Sequence, residues 1–268
     1  MVTIIDNFTF TLGTIFVGLL LVIAIHSLTT PRSALLGLYG AIIASVLAIA
    51  WFSILFLTGL GWVFAFVPLL FGALIGFFLA RVVRMTSLPQ LVALLNGLGG
   101  LAAILLGLST FFEPDIFDTT ALLLAVFLPV WIGAVTFAGS LVAVAKLYGK
   151  PKIFARDYQS ISRTVLFGLI FLGLIVLLVL FLTTSPGATF GWVLLMAIIA
   201  LSLIQGVVFV VGIGSADMPI AVSTLNALSG AAGTTAGFLL RNDLLVIIGA
   251  IVLGKWSNIV FSNGEGNE

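Results

Sequence analysis

Two asparagines carry the first chemical hint in this sequence. Asn96 lies in Leu88-Pro89-Gln90-Leu91-Val92-Ala93-Leu94-Leu95-Asn96-Gly97-Leu98-Gly99-Gly100, and Asn226 lies in the stretch from Ala216 to Gly237. Laid over each other, Pro89 meets Pro219, Val92 meets Val222, Leu95 meets Leu225, Asn96 meets Asn226 and Gly100 meets Gly230. An asparagine donates and accepts hydrogen bonds but does not titrate in the physiological range. Such a pair can bind and orient water, yet cannot hold a proton. The nearest acid is Asp217, at the mouth of the second stretch. It reads equally as a titrating group at the end of a path or as an N-cap for the helix that follows. Ser223, Thr224, Ser229, Thr234 and Thr235 add hydroxyls to that helix, and Thr136 and Ser140 add two more elsewhere. The plain account is interhelical glue, since polar contacts between membrane helices contribute about 0.6 kcal/mol on average and small neighbours such as Gly100 and Gly230 allow close approach. The other account is a water-holding path between packed helices.

The elements that must position these residues follow from composition. Of 268 residues, 62% are hydrophobic and only 7% charged, with a mean hydropathy of +1.38. Soluble domains carry about 25% charged residues, so this chain lacks the polar surface to face water. It is an all-α integral membrane protein. A spanning helix needs roughly 20 apolar residues, which leaves room for about nine or ten spans. We read nine, from about Phe10 to Leu28, Ser33 to Phe56, Trp62 to Val83, Pro89 to Leu108, Thr120 to Leu147, Arg163 to Leu182, Phe190 to Ile213, the second asparagine stretch, and Asn242 to about Phe261. No cleavable leader is read at the start, because the first apolar run leads into more of the same.

Charge gives the expected orientation. Cations gather after segment one (Arg32), after three (Arg81, Arg84), after five (Lys146, Lys150, Lys152, Arg156, Arg163) and near the end (Lys255), while Glu113, Asp115 and Asp118 follow segment four. The positive-inside rule then puts the N-terminus outside and the C-terminus in the cytosol, with Asp217 on the cytosolic side. Segments four and eight are separated by an even number of spans and point the same way. Each begins with a proline, which suits a first turn. Each asparagine follows its proline by seven residues, about 10 Å along a helix axis.

Other chemistries are excluded by what is missing. The chain has no cysteine, hence no disulfide and no thiolate site. Gly212-Ile213-Gly214 and Gly97-Leu98-Gly99-Gly100 are fragments of a dinucleotide fingerprint, but neither follows a strand or opens a βαβ unit. No Walker loop, zinc spacing or nucleophile triad is present, and a net charge of +1 gives no reason to expect nucleic acid. The nine spans hold no interior Asp, Glu or His. His26 sits at a span end, and Lys255 either lies in the membrane or snorkels to its face. A proton path here would need a titratable group at its mouth or from another chain.

At these residues the chain resembles the membrane part of the β subunit of the proton-translocating NAD(P) transhydrogenases. The resemblance rests on Met85-Thr86-Ser87-Leu88-Pro89-Gln90 running to Asn96-Gly97, on Gly133-Ala134-Val135-Thr136-Phe137-Ala138-Gly139-Ser140 continuing to Lys146-Leu147, on Asp217-Met218-Pro219 to Asn226, and on Gly237-Phe238 with Asn242-Asp243-Leu244-Leu245. The first 60 residues match only as apolar spans.

The resemblance implies a subunit that couples hydride transfer between NAD(H) and NADP(H) to proton movement. Asn96 occupies a position where some members carry a proton-path histidine, and in asparagine-type members an α-type subunit is thought to supply one. Ser140, Asp217 and Asn226 match channel-lining or coupling positions. Apart from the resemblance, Thr136 and Ser229 are expected to act as supporting groups and Gly100 and Gly230 to serve helix packing. Residues 1–261 are expected to form the proton-translocating domain and 262–268 a short polar tail, with no nucleotide-binding domain and no cofactor or metal held by this chain. NAD(H) and NADP(H) would be bound by partner domains: α-type membrane and NAD-binding subunits, and a separate NADP(H)-binding domain. The complete complex is expected to be a dimer in a bacterial inner membrane. The chain departs from the family after Val252, where Leu253-Gly254-Lys255-Trp256 replaces small residues and a basic linker. A small-solute secondary transporter and a truncated, non-catalytic assembly subunit are the alternatives.

Overall fold

A computed structural model describes residues 7–28, 32–56, 59–112, 119–149, 161–185, 188–214 and 217–264, with side chains for all of these except 7–10, 52, 54–56, 119, 161–162 and 255–264. The chain divides into two compact units, residues 1–85 and 86–268. Glu113, Asp115, Asp118, Lys150, Lys152 and Arg156, the Thr-Thr-Pro turn at residues 29–31 and the end of the polar tail lie outside the described residues, as does the side chain of Lys255.

The first unit holds α1 (Asn7–Ser27), α2 (Ala34–Phe56) and α3 (Gly61–Val82). Helices α1 and α2 form a hairpin whose close approach depends on missing side chains. A methyl group on Gly37 would stand 2.8 Å from the Ala24 carbonyl oxygen, and one on Gly40 would stand 3.3 Å from the Ala24 Cβ. None of the residues of α3 is buried.

The second unit holds α4 (Leu88–Phe112), α5 (Thr119–Leu147), α6 (Ile161–Leu182), α7 (Thr189–Val211), α8 (Met218–Leu239) and α9 (Asp243–Gly264). These ranges lie within a few residues of the apolar segments read from the sequence, because prolines and polar turns bound each run. Helix α5 is the hub and packs against α4, α7 and α8. Helix α8 also touches α4 and pairs with α9. One apolar cluster gathers Phe111, Val126, Phe181 and Leu195 toward one end of this bundle. A second gathers Ala93, Val142, Val210, Met218 and Leu225 toward the other.

Glycines sit where helix axes cross. A side chain on Gly100 would meet the Gly133 carbonyl oxygen at 2.5 Å, and one on Gly133 would meet the Gly100 carbonyl at 2.6 Å, so α4 and α5 touch backbone to backbone. Gly230 stands in the same relation to the Gly249 carbonyl, at 2.8 Å, where α8 crosses α9. Such crossings are how membrane helices gain contact when lipid competes for every apolar surface.

The turn between α8 and α9 is built from three residues. Arg241 adopts a left-handed φ of 51°. The Asn242 amide then reaches back to the Gly237 carbonyl (2.8 Å) and the Arg241 amide to Phe238 (3.2 Å). These two bonds close α8 in a Schellman arrangement. The Asn242 side chain accepts from the Leu245 amide at 3.1 Å and so caps α9.

Among the described residues, six helices are long and apolar enough to cross a membrane, spanning Ala34–Trp51, Gly61–Val82, Met85–Phe112, Thr120–Leu147, Arg163–Leu182 and Thr189–Val211. Helix α8 is not among these six. Its asparagine, serines, threonines and glycines lower its hydropathy, which suits a helix surrounded by protein rather than by lipid.

Candidate functional site: a polar seam between α4, α5 and α8

The two copies of the asparagine motif pack against each other, but their asparagines meet different surroundings. Asn96 on α4 is buried, at 8% exposure. Its Nδ2 donates a long hydrogen bond (3.5 Å) to the Val222 carbonyl on α8. From α8, the Ser229 hydroxyl donates to the Asn96 backbone carbonyl at 3.3 Å. Asn96 is thus clasped by two residues of α8 that flank Asn226 in sequence. Asn226 itself is exposed in this chain, and among the described residues its amide has no hydrogen-bond partner. The matched register therefore does not give the two asparagines equivalent surroundings. An exposed asparagine on a membrane helix invites cover by another polar group, since lipid cannot satisfy it.

Ser140 completes the seam from α5. It is fully buried, and its hydroxyl has no hydrogen-bond partner. It faces Gly97, beside Asn96: a methyl group there would come within 3.1 Å of the Ser140 Cβ and 3.8 Å of its Oγ. Thr136, one turn away on the same face of α5, is also fully buried and bonds back to the Ile132 carbonyl at 2.7 Å. It lies against Gly100, whose added side chain would meet the Thr136 Cβ at 3.2 Å. Gly100 and Gly97 thus act as the floor under two hydroxyls. Among the described residues, no Asp, Glu or His is buried.

Further polar groups lie toward the end of the bundle where α4 and α8 begin and α5 and α7 finish. Asp217 is at the N-cap position of α8, exposed, with Pro219 in the first turn. Its carboxylate makes no capping hydrogen bond. Gln90 bridges α4 to the end of α5, donating from Nε2 to the Leu147 carbonyl at 3.3 Å, while its Oε1 is buried without a partner.

Sequence reasoning placed Lys146 among the loop cations, and here the structure differs. Lys146 is 5% exposed and turned inward. Its Nζ donates to the Val211 carbonyl at 2.8 Å and to the Ile213 carbonyl at 2.6 Å. Those are orphan acceptors at the end of α7, where a cation also suits the helix dipole. Lys146 ties the end of α5, which carries Ser140, to the connection that leads to Asp217. Its position near the end of an apolar segment resembled an ordinary boundary lysine. Only the chain reversal that brings the end of α7 beside it reveals the role.

The geometry defines a class: a polytopic membrane protein with an uncharged polar seam at a three-helix junction and ionisable groups at one mouth. The sequence profile of the family "NAD(P) transhydrogenase beta subunit" matches residues 10–257. The "NAD(P) transhydrogenase subunit beta" of Rhodospirillum rubrum is 32% identical over 261 residues, covering 89% of this chain and 51% of that protein. A second sequence of the same description, from a named strain of that species, gives the same figures. The chain belongs to the NAD(P) transhydrogenase beta subunit family. It spans about half the length of the curated relatives it matches, at 51%.

Proposed function

We propose that this chain provides the proton path of a proton-translocating NAD(P) transhydrogenase, coupling hydride transfer between NAD(H) and NADP(H) to proton movement across a bacterial inner membrane. The observation that carries this reading is the Ser140 hydroxyl, buried and unpartnered beside Asn96 in the interior of a spanning bundle. An unsatisfied buried donor costs about 1–3 kcal/mol, and a water bridging Ser140 to its polar neighbours would remove that cost. Asn96, Ser229 and Ser140 then orient water, Thr136 extends the hydroxyl line, and Asp217 exchanges protons at the mouth. None of the three seam residues titrates in the physiological range, so the remaining proton-holding group comes from an α-type subunit. Asn226 presents its exposed amide to that subunit.

In this reading the chain crosses the membrane nine times, with its N-terminus outside and its C-terminus and Asp217 in the cytosol. The nucleotides are bound by partner domains, NAD(H) on an α-type subunit and NADP(H) on a separate domain, and the complete complex is a dimer. The test is proton pumping by proteoliposomes holding the full partner set during transhydrogenation. Asn226→Leu is expected to abolish pumping while leaving membrane insertion intact. Normal pumping by that variant would mean that coupling does not need the Asn226 amide. Solute uptake without nucleotides would instead favour a secondary transporter.

A further inference from the structure

A second feature lies among α5, α6, α7 and α8. Arg163, in the first turn of α6, lays its guanidinium against Gly212 at the end of α7. That helix end is already served, because Lys146 occupies the Val211 and Ile213 carbonyls. Among the described residues none is hydrogen-bonded or ion-paired to the Arg163 guanidinium. The sequence adds Lys150, Lys152 and Arg156, against the single acid Asp157, to the connection just before it. That connection is net positive in sequence, and Arg163 stands at the start of a spanning segment, Arg163–Leu182.

Beneath Arg163 runs an apolar slot. A cavity of about 250 Å³ is lined by Arg163, Thr164 and Phe167 of α6 and by Val208, Phe209 and Ile213 across from them. A deeper cavity of about 410 Å³ shares Phe167 and Phe209 and continues to Phe171, Trp131 and Leu228. Phe171 lies eight residues beyond Arg163, about 12 Å along a helix axis. The slot thus leads from the membrane boundary into the hydrocarbon. The polar side chains along it are turned to protein partners: the Trp131 Nε1 donates to the Gln205 Oε1 at 2.8 Å, and the Thr224 hydroxyl donates back to the Ile220 carbonyl at 3.0 Å. The deep part is walled mainly by aromatic and aliphatic side chains and suits an acyl chain, while the mouth suits an anion.

We propose that this slot holds one anionic phospholipid, its phosphate on Arg163 and Thr164 and one acyl chain between α6 and α7 over Phe167, Phe171 and Leu228. Basic pockets between membrane helices on the cation-rich side are where anionic headgroups bind. The rigid, aromatic walls give the chain a fixed berth rather than a place in the general annulus. The site is independent of the proton path and needs only that the chain spans a membrane.

The test is native mass spectrometry of the full-length protein released from nanodiscs of phosphatidylglycerol mixed with phosphatidylcholine. The wild type is expected to retain one phosphatidylglycerol in preference to phosphatidylcholine. Arg163→Gln should lower that preference about fivefold, the effect of one cationic side chain near an anionic lipid. Arg163→Lys should retain most of the preference, and Leu228→Trp should displace the lipid by filling the slot. Circular dichroism of each variant shows whether the helices form. Equal retention of the two lipids by the wild type would overturn the proposal without recourse to any variant. Unchanged retention in Arg163→Gln would overturn it too. Release of the lipid by excess inorganic phosphate would reassign the mouth to a free anion.

Discussion

Ser140 closes over Gly97, so that a single methyl group added at Gly97 would stand 3.1 Å from the Ser140 Cβ. This contact holds an unpartnered hydroxyl beside Asn96 at the junction of three helices. Ser140→Ala keeps the volume nearly unchanged and deletes the orphan. The apparent melting temperature in detergent is expected to stay the same or rise slightly, because a group left unsatisfied costs about 1–3 kcal/mol. Proton pumping by the reconstituted complex is expected to fall. A clear loss of thermal stability with pumping retained would make Ser140 a packing residue.

Glycine contacts separate packing from openness on a single helix. A side chain at Gly100 meets the Gly133 carbonyl at 2.5 Å and the Phe137 amide at 2.9 Å, whereas one at Gly99 meets nothing within 4 Å. Gly100→Val must push α4 off α5, at a cost of about 1–3 kcal/mol or more. Gly99→Val should be close to neutral in the isolated subunit. Thermal melting of the two variants, compared side by side, checks the α4–α5 crossing.

The helices and their limits were largely legible in the sequence, while the facing of individual residues was not. Nine apolar runs were bounded by Pro89, Pro219, Asn242 and polar turns, and each signal acts locally on one segment's backbone. The asparagine repeat showed that Asn96 and Asn226 share a register. It could not show that one is buried and the other exposed, because that depends on which helices flank each copy. Helix α4 is clasped by α5 and α8, and α8 by α4, α5 and α9. Lys146 was illegible for the same reason. Its partners are backbone carbonyls 65 and 67 residues away, and carbonyls carry no side-chain signature.

Lys146 gives a third prediction. Lys146→Met preserves the aliphatic stem but leaves the Val211 and Ile213 carbonyls without their donor. Hydrogen bonds to a charged group contribute about 1.5–3 kcal/mol each, although removing a buried charge offsets part of the loss. A net destabilisation of about 1–3 kcal/mol is expected by thermal melting. Amide exchange should accelerate at the end of α7 and the start of α8. Lys146→Arg is expected to recover part of both.

The two asparagines should part company when each is replaced by leucine. Asn96 is buried at 8% exposure and donates to α8, so Asn96→Leu removes the bond to Val222 and forces a branched chain into the clasp. A destabilisation of about 1–3 kcal/mol of the isolated subunit is expected. Asn226 is exposed, with no partner among the described residues, and Asn226→Leu should leave the isolated subunit's melting unchanged. Its effect should appear only on assembly: co-purification with an α-type subunit is expected to weaken, because the polar contact that covers Asn226 is lost. Equal melting losses for both variants would mean that Asn226 is buried within the subunit after all. Unaltered co-purification would mean that no partner group meets it.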